Sequence, residues 1–293
     1  PAGTSGLAPA DPSQPPQETN GIPQVSPAPP GTTGTDFVAG DQRTSTGDPI
    51  IPVIPLQSGS GYAAAVAFEY SGAGYGSPYV YGTAPVDAVF STSGQLTDVT
   101  LSSYDHYTLQ PGGSNADFGT DGILAWGRWI GPVGGTYGCD GACGFSPTYD
   151  ANTGLHYVIG MPTPVMPTSG SAIFTMIGAT SPTYVDGHVA PGTFNGSLEV
   201  QFSATPTVGM NFNITMPDGS WDFAGTATGS GSLFSGGATS STGCCCGCTA
   251  SVQGFFAGAN AARAGIGYQA SVDTGNVVGA AAFKNTGVPV PPR

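Results

Sequence analysis

The chain has 293 residues and a formal net charge of −13, from five Lys and Arg against 18 Asp and Glu. Nucleic-acid binding needs a basic surface that displaces counterions, and electrostatic docking on an anionic membrane needs clustered cations, so this balance excludes both. Charged residues make up only 8% of the chain, against roughly 25% in an average soluble domain, while 39% hydrophobic and 10% aromatic residues suffice for a core.

The N-terminal "PAGTSGLAPADPSQPPQ" reads as a mature or trimmed product without a signal peptide. Residues 1–60 are dominated by Pro, Gly, Ser, Thr and Gln, and "SQPPQ", "SPAPPG" and "PIIPVIP" are extended, polyproline-like pieces. This makes an arm or linker. Within it "DPIIPVIPLQ" (48–57) is apolar enough to lie along a sheet edge, the place where prolines are tolerated. Ile50, Ile51, Val53, Ile54 and Leu56 are therefore expected to bury against protein, in this chain or a neighbouring one. No apolar run approaches the roughly 18 residues of a transmembrane helix.

From Tyr62 the pattern becomes strand-like. "YAAAVAFEY" (62–70) and "DAVFSTSGQLTDVTL" (87–101) are short, alternating and bounded by Gly-rich turns. "GILAWGRWIG" (122–131) carries Trp126 and Trp129 around Arg128. "LHYVIG" (155–160), "SAIFTMIG" (171–178), "GSLEVQFSA" (196–204) and "VGMNFNITM" (208–216) alternate, and Asp218-Gly219 marks a hairpin into "WDFAGTATG" (221–229). "ASVQGFFAG" (250–258), "AGIGYQASV" (264–272) and "NVVGAAAFK" (276–284) complete the series. Nothing reads as a long helix; "ANAARAG" (259–265) allows one turn. Short strands without crossover helices predict an all-β protein built as an antiparallel meander. The expected layout is the arm (1–60), a small additional β region (61–119), and an up-and-down β-barrel of about eight strands (120–293).

The last segment, "VQGFFAGANAARAGIGYQASVDTGNVVGAAAFK" (252–284), resembles the final strands of the transferrin-binding-protein-like β-barrel. The matching positions are Gly254, Phe255, Phe256, Gly258, Asn260, Ala261, Gly265, Tyr268, Val278, Gly279 and Phe283. "GRWIG" (127–131) and "LHYVIGMPTP" (155–164) look like the barrel that follows the FecR domain in bacterial FecR-domain surface proteins, so the resemblance covers about 120–290. No FecR domain is recognisable in the chain. The resemblance implies a non-enzymatic protein at the bacterial surface that binds an iron-carrier protein or a small ligand such as haem through variable loops. It implies no particular binding residues.

Chemical motifs are sparse. The G-x-S-x-G, H-E-x-x-H, P-loop and C-x-x-C-H patterns are all missing. His106, His156 and His188 are far apart in sequence; His156 sits in an alternating strand and reads as a barrel-wall residue. Asp117, Asp121 and Asp140 offer oxygen ligands but not the spacing of a calcium loop. No enzyme activity, cofactor or metal is expected.

The six cysteines carry the remaining signal: Cys139 and Cys143 in "CDGAC", and Cys244, Cys245, Cys246 and Cys248 in "STGCCCGCTA". The pairs 139/143 and 245/248 have spacings a Cys₄ zinc site would accept. Disulfides suit the extracellular composition better. Adjacent Cα atoms lie about 3.8 Å apart, short of the roughly 4.4–6.8 Å of a disulfide, which disfavours bridges within 244–246 neighbours. The expected pattern staples the 139/143 loop to the cluster by two bridges and leaves two cysteines to pair locally or with another chain. The reading is a secreted or cell-surface bacterial protein whose partners are protein chains, copies of itself included. Its expected role is a subunit of an extracellular assembly with the arm docked on a neighbour; the alternative is the surface binding module.

Overall fold

The computed structural model describes residues 55–70, 77–136, 144–240, 242–244 and 247–287. Ile50, Ile51, Val53, Ile54, Cys139, Cys143, Cys245 and Cys246 lie outside them. The described chain is all-β, with one 3₁₀ turn at Ala259–Ala261.

The first sheet contains β1 (Gly59–Tyr70), β2 (Ser77–Phe90), β3 (Leu96–Thr100), β4 (His106–Leu109), β5 (Ser114–Thr120), β6 (Leu124–Thr136), β7 (Gly144–Phe145), β8 (Thr148–Tyr149) and β9 (Leu155–Gly160). Its order is β4-β3-β2-β1-β9-β6, and β4 pairs back onto β6, so these strands close into a six-stranded barrel. The remaining three strands extend the pairing of the long β6.

The second sheet contains β10 (Ser171–Ala179), β11 (Thr183–Tyr184), β12 (Thr193–Gln201), β13 (Thr207–Met216), β14 (Gly219–Ser230), β15 (Leu233–Ser240), β16 (Cys248–Ala257), β17 (Arg263–Val272) and β18 (Gly275–Asn285). Apart from β11, which caps β18, these are eight antiparallel strands in chain order, closed by the β10–β18 pair. This is the expected up-and-down barrel, occupying 171–285. Its interior is filled: Phe194 stacks on Tyr268 at 4.8 Å and Phe212 on Phe223 at 5.1 Å, with Phe256, Ile266 and Phe283 fully buried around them.

The sheet division falls between β9 and β10, and the expected boundary at 119/120 lies inside the first sheet. That boundary lies at the end of β5, where the apparent domain start "TDGI" is a hairpin. The Asp121 carboxylate accepts from the Ile123 and Leu124 amides and folds β5 onto β6. What closes the first barrel is the pairing of β1 with β9 and of β9 with β6, which no local pattern reveals.

The two barrels share a wall. In β1, Tyr62, Ala64, Val66 and Phe68 enter the first core, while Ala63, Ala65 and Ala67 face the second barrel. In β18, Val277, Ala281 and Phe283 enter the second core, while Val278, Ala280 and Ala282 face the first. Burial on both faces explains why these strands are apolar throughout. Their outward residues are mostly alanine, which lets the two sheets approach closely. Gly265 belongs to this contact: a Cβ there would come within 2.8 Å of Val158 Cγ2.

Candidate functional site

Polar groups gather at two places, a sealed seam between the barrels and an open rim at one barrel end. The seam comes first, because it fixes the frame. Arg128, 5% exposed, points from β6 toward the second barrel. Its Nε donates to Asp117 Oδ2 at 2.9 Å, and its Nη1 donates to the carbonyls of Ala151 and Thr153. Asp117 Oδ2 also accepts from the Ser181 amide at 3.0 Å, so one carboxylate ties the two barrels together. Trp126 lies beside this contact, its ring against Gly119 on one flank and Gly178 on the other.

His156 on β9 is fully buried in the same seam. The Thr180 hydroxyl donates its one proton to the Ala280 carbonyl, so it accepts from His156 Nδ1 at 2.8 Å; Nε2 then accepts from Thr183 at 2.9 Å. This assigns a neutral Nδ1–H imidazole. Burial first, and the nearby Arg128 charge second, hold its pKa well below the usual 6.5. Unfolded His156 binds a proton below about pH 6.5 and the folded one does not, so stability is full above that pH and falls on acidification. Urea midpoints between pH 7.5 and 5 are expected to drop in the wild type, and the drop to shrink in His156→Gln. A slope unchanged by that substitution would refute the assignment.

The rim is formed where β11 leads to β12, β13 to β14, β15 to β16 and β17 to β18, connections that emerge at the same end of the barrel. Tyr184 is its centre. Its hydroxyl donates to Asp218 Oδ1 at 3.1 Å and hydrogen-bonds Thr274, and burial of the ring edge raises its pKa to about 12. The His188 ring lies 4.2 Å from the Tyr184 ring. His188 Nδ1 contacts Asp186 Oδ1 at 2.5 Å and Nε2 approaches Asp218 Oδ2 at 3.5 Å. The hydrogen bond that His188 donates to the Asp186 carboxylate raises the His188 pKa, so the protonated ring clamps two loops together at mildly acid pH. Glu69 from the first barrel has a raised pKa, from burial and from the Asp186 charge. Among the described residues no Ser, Thr or Cys side chain pairs with His188, so the nucleophile–base geometry of acyl transfer is missing there.

On the same rim Cys244 and Cys248, four positions apart in sequence, form a disulfide with Cα atoms 5.8 Å apart. It pairs cluster residues locally. By loop-closure entropy such a short ring contributes about 2 kcal/mol. Trp221 Nε1 donates to the Gly243 carbonyl at 3.1 Å and packs under the loop.

The other expected residues are placed as follows. Leu56 is buried in the core of its own first barrel. Phe255 faces the first barrel from β16, while Phe256, Tyr268 and Phe283 fill the second. Gly254 backs onto the Phe234 ring, Gly258 turns at φ 72° into the 3₁₀ turn, and Gly279 backs onto Tyr268. The motif residues thus serve core and wall rather than a ligand site. Asp121 pairs with Arg263, and His106 with Asp98. The sequence reading did not connect Tyr184, Asp186, Asp218 and Thr274. The Asp218-Gly219 turn was the one signal available, because the cluster joins residues 34 and 90 positions apart.

Fold and rim together define a two-barrel, all-β protein that presents its polar groups on loops over packed interiors. No family model and no curated protein sequence matches the chain. Solved structures similar to it in fold include isotype 1 transferrin binding protein B from serogroup B Neisseria meningitidis, at 13% identity and TM-score 0.44, covering 77% of this chain and 44% of that one. A transferrin binding protein B from Haemophilus parasuis is 14% identical with TM-score 0.41, covering 78% and 45%. One from Actinobacillus pleuropneumoniae is 11% identical with TM-score 0.39, covering 78% of this chain and all of that chain. The chain spans less than half the length of the Neisseria and Haemophilus proteins.

Proposed function

We propose that this chain is a non-enzymatic binding module of the bacterial cell surface that engages a protein partner through the rim of the eight-stranded barrel. The observation that carries this reading is the rim itself: acidic and aromatic groups from separate loops, fixed to one another above a filled barrel. An interior packed with aromatic rings leaves recognition to the loops. The rim loops carry no Lys or Arg, so a partner with a basic face is electrostatically complementary. Iron-carrier proteins are the first class to try, and the link to FecR-domain proteins belongs to the same proposal.

The test is surface plasmon resonance over immobilised iron-loaded and iron-free transferrin, with wild type against Asp186→Lys/Asp218→Lys. Wild type is expected to bind and the double variant to lose at least roughly tenfold in affinity, mainly at high-salt-sensitive association. Equal binding by both proteins would remove the rim from the reading, and no binding by wild type would remove the iron carrier.

The second reading is a subunit of an extracellular assembly whose arm docks on a neighbour. Leu56, the last apolar residue of that stretch, supports a docked arm, since it is buried in the first barrel's core. Deletion of residues 1–54 would then convert an assembly to monomers, as read by sedimentation velocity. A wild type that is monomeric throughout contradicts this reading.

A further inference from the structure

We propose that the outer wall of the eight-stranded barrel is a binding site for a neutral glycan, centred on Asn195, Asn211, Asn213 and Asp222. Among the described residues, none from β12, β13 or β14 enters the apolar seam between the barrels, so the outward face of these strands is open. A shallow depression of about 570 Å³ lies on this face, within the roughly 300–1,000 Å³ of small-ligand sites. The outward side chains that line it include Asn195, Ser197, Asn211, Asn213, Asp222 and Thr239, which are amides and hydroxyls with a single carboxylate. The strands β12 to β15 carry only two charged residues, Glu199 and Asp222, where roughly 25–35% charged residues are usual on a soluble surface.

The lining combines fixed and free groups. Asn213 is fixed: its Nδ2 donates to Asp222 Oδ1 at 2.9 Å, and its Oδ1 accepts from the Thr215 hydroxyl at 2.8 Å. Asn195 stands directly opposite Asn213 in register, and Asn211 opposite Ser197. Asn195 and Asn211 are exposed, and their side chains make no hydrogen bond among the described residues. An amide side chain both donates and accepts, as does a sugar hydroxyl, so the two match without charge. An anionic ligand would meet Asp222 and the chain's net charge of −13, and a basic one would find a single carboxylate in the depression. The class that fits is uncharged and rich in hydroxyls. The register favours a polymer over a single sugar. Ser197, Asn211, Ala224, Thr239, Thr249 and Ser271 form one uncharged row across β12 to β17, at about 4.8 Å per strand. A chain lying along that row meets a polar group at nearly every strand, and its repeats add weak contacts by multivalency. The proposal does not rest on the rim's role in partner binding.

The test is affinity electrophoresis of the full chain through native gels holding dextran, mannan or hydroxyethylcellulose, with polygalacturonate as the acidic comparison and mobility referred to a glycan-free gel. The wild type is expected to be retarded by at least one of the neutral polymers and not by polygalacturonate. Asn195→Ala/Asn211→Ala removes two exposed side chains that hold no part of the fold. It is expected to lose at least roughly tenfold in apparent affinity, the loss of two neutral hydrogen bonds. The rim variant Asp186→Lys/Asp218→Lys is expected to keep the retardation, which separates this wall from the rim and its protein partner. Near-UV circular dichroism reports that each variant stays folded. Free migration of the wild type in all three neutral gels, or equal retardation by polygalacturonate, would overturn the glycan. An affinity unmoved by Asn195→Ala/Asn211→Ala, or lost in the rim variant, would overturn the site.

Discussion

Replacing Asp117 by Asn is expected to lower the free energy of unfolding by about 3–5 kcal/mol, the cost of leaving a buried charge without its partner. Arg128 has lost most of its water and keeps only the carbonyls of Ala151 and Thr153 as neutral acceptors once the carboxylate is gone. Asn is the informative substitution. Asp117 has φ 56°, a conformation Asn tolerates and Ala does not, so the backbone stays unstrained and the charge is what changes. The amide still accepts one hydrogen bond but cannot neutralise the guanidinium. Because the same carboxylate holds the Ser181 amide, the loss also loosens the two barrels. Equilibrium urea unfolding of both proteins measures it, and a difference below about 1 kcal/mol would mean that Arg128 finds water when its partner is removed.

Gly279→Ala is expected to cost about 3 kcal/mol, the upper end of what overpacking a core does. The added Cβ would overlap the Tyr268 hydroxyl and the ring carbon that carries it. Tyr268 cannot retreat, because its ring is stacked on Phe194 and 6.0 Å from Phe212 in a filled barrel. Its hydroxyl has no hydrogen-bond partner among the described residues, and burial pushes its pKa far above the usual 10.0. Tyr268→Phe is therefore expected to raise stability by about 1 kcal/mol, since it removes an unsatisfied buried polar atom. The pair of substitutions moves in opposite directions, and thermal melting of each shows it. A Gly279→Ala protein that melts with the wild type would show that the strand shifts to make room.

How far this architecture could be read from the chain depends on which contacts are local. In β12, β13 and β14 the alternation is strict, so Leu198, Met210, Phe212 and Phe223 can be assigned to the barrel interior at sight. In β1 the same rule gives half the answer. Ala63, Ala65 and Ala67 look like small filler on an outer face, and their burial appears only when a second barrel is placed against them. The closure of the first barrel was hidden for a related reason: β1 meets β9 across about ninety residues, and loop-closure cost leaves no local signature. The rim was hardest. His188 was visible as a lone histidine, and Asp218 as a turn residue, but the proximity of Tyr184, His188, Asp218 and Thr274 is a product of barrel closure alone. The seam shows the opposite case. Arg128 between two tryptophans was legible as unusual, and its partner proved to be Asp117, a residue that sequence reasoning had weighed as an oxygen ligand.

The alanine wall also separates covalent from physical continuity. The segment joining the barrels, residues 161–170, carries Val165 at 76% exposure, the sort of site a protease finds. A cut there severs the peptide between β9 and β10 but touches neither barrel's closure nor the apolar seam of β1, β9, β16 and β18. The two halves would remain one particle after their backbone had become two chains, so nicking at the junction is compatible with an intact molecule. By the same token neither half is a self-sufficient product: released alone, each would expose the sheet face that its twin now covers.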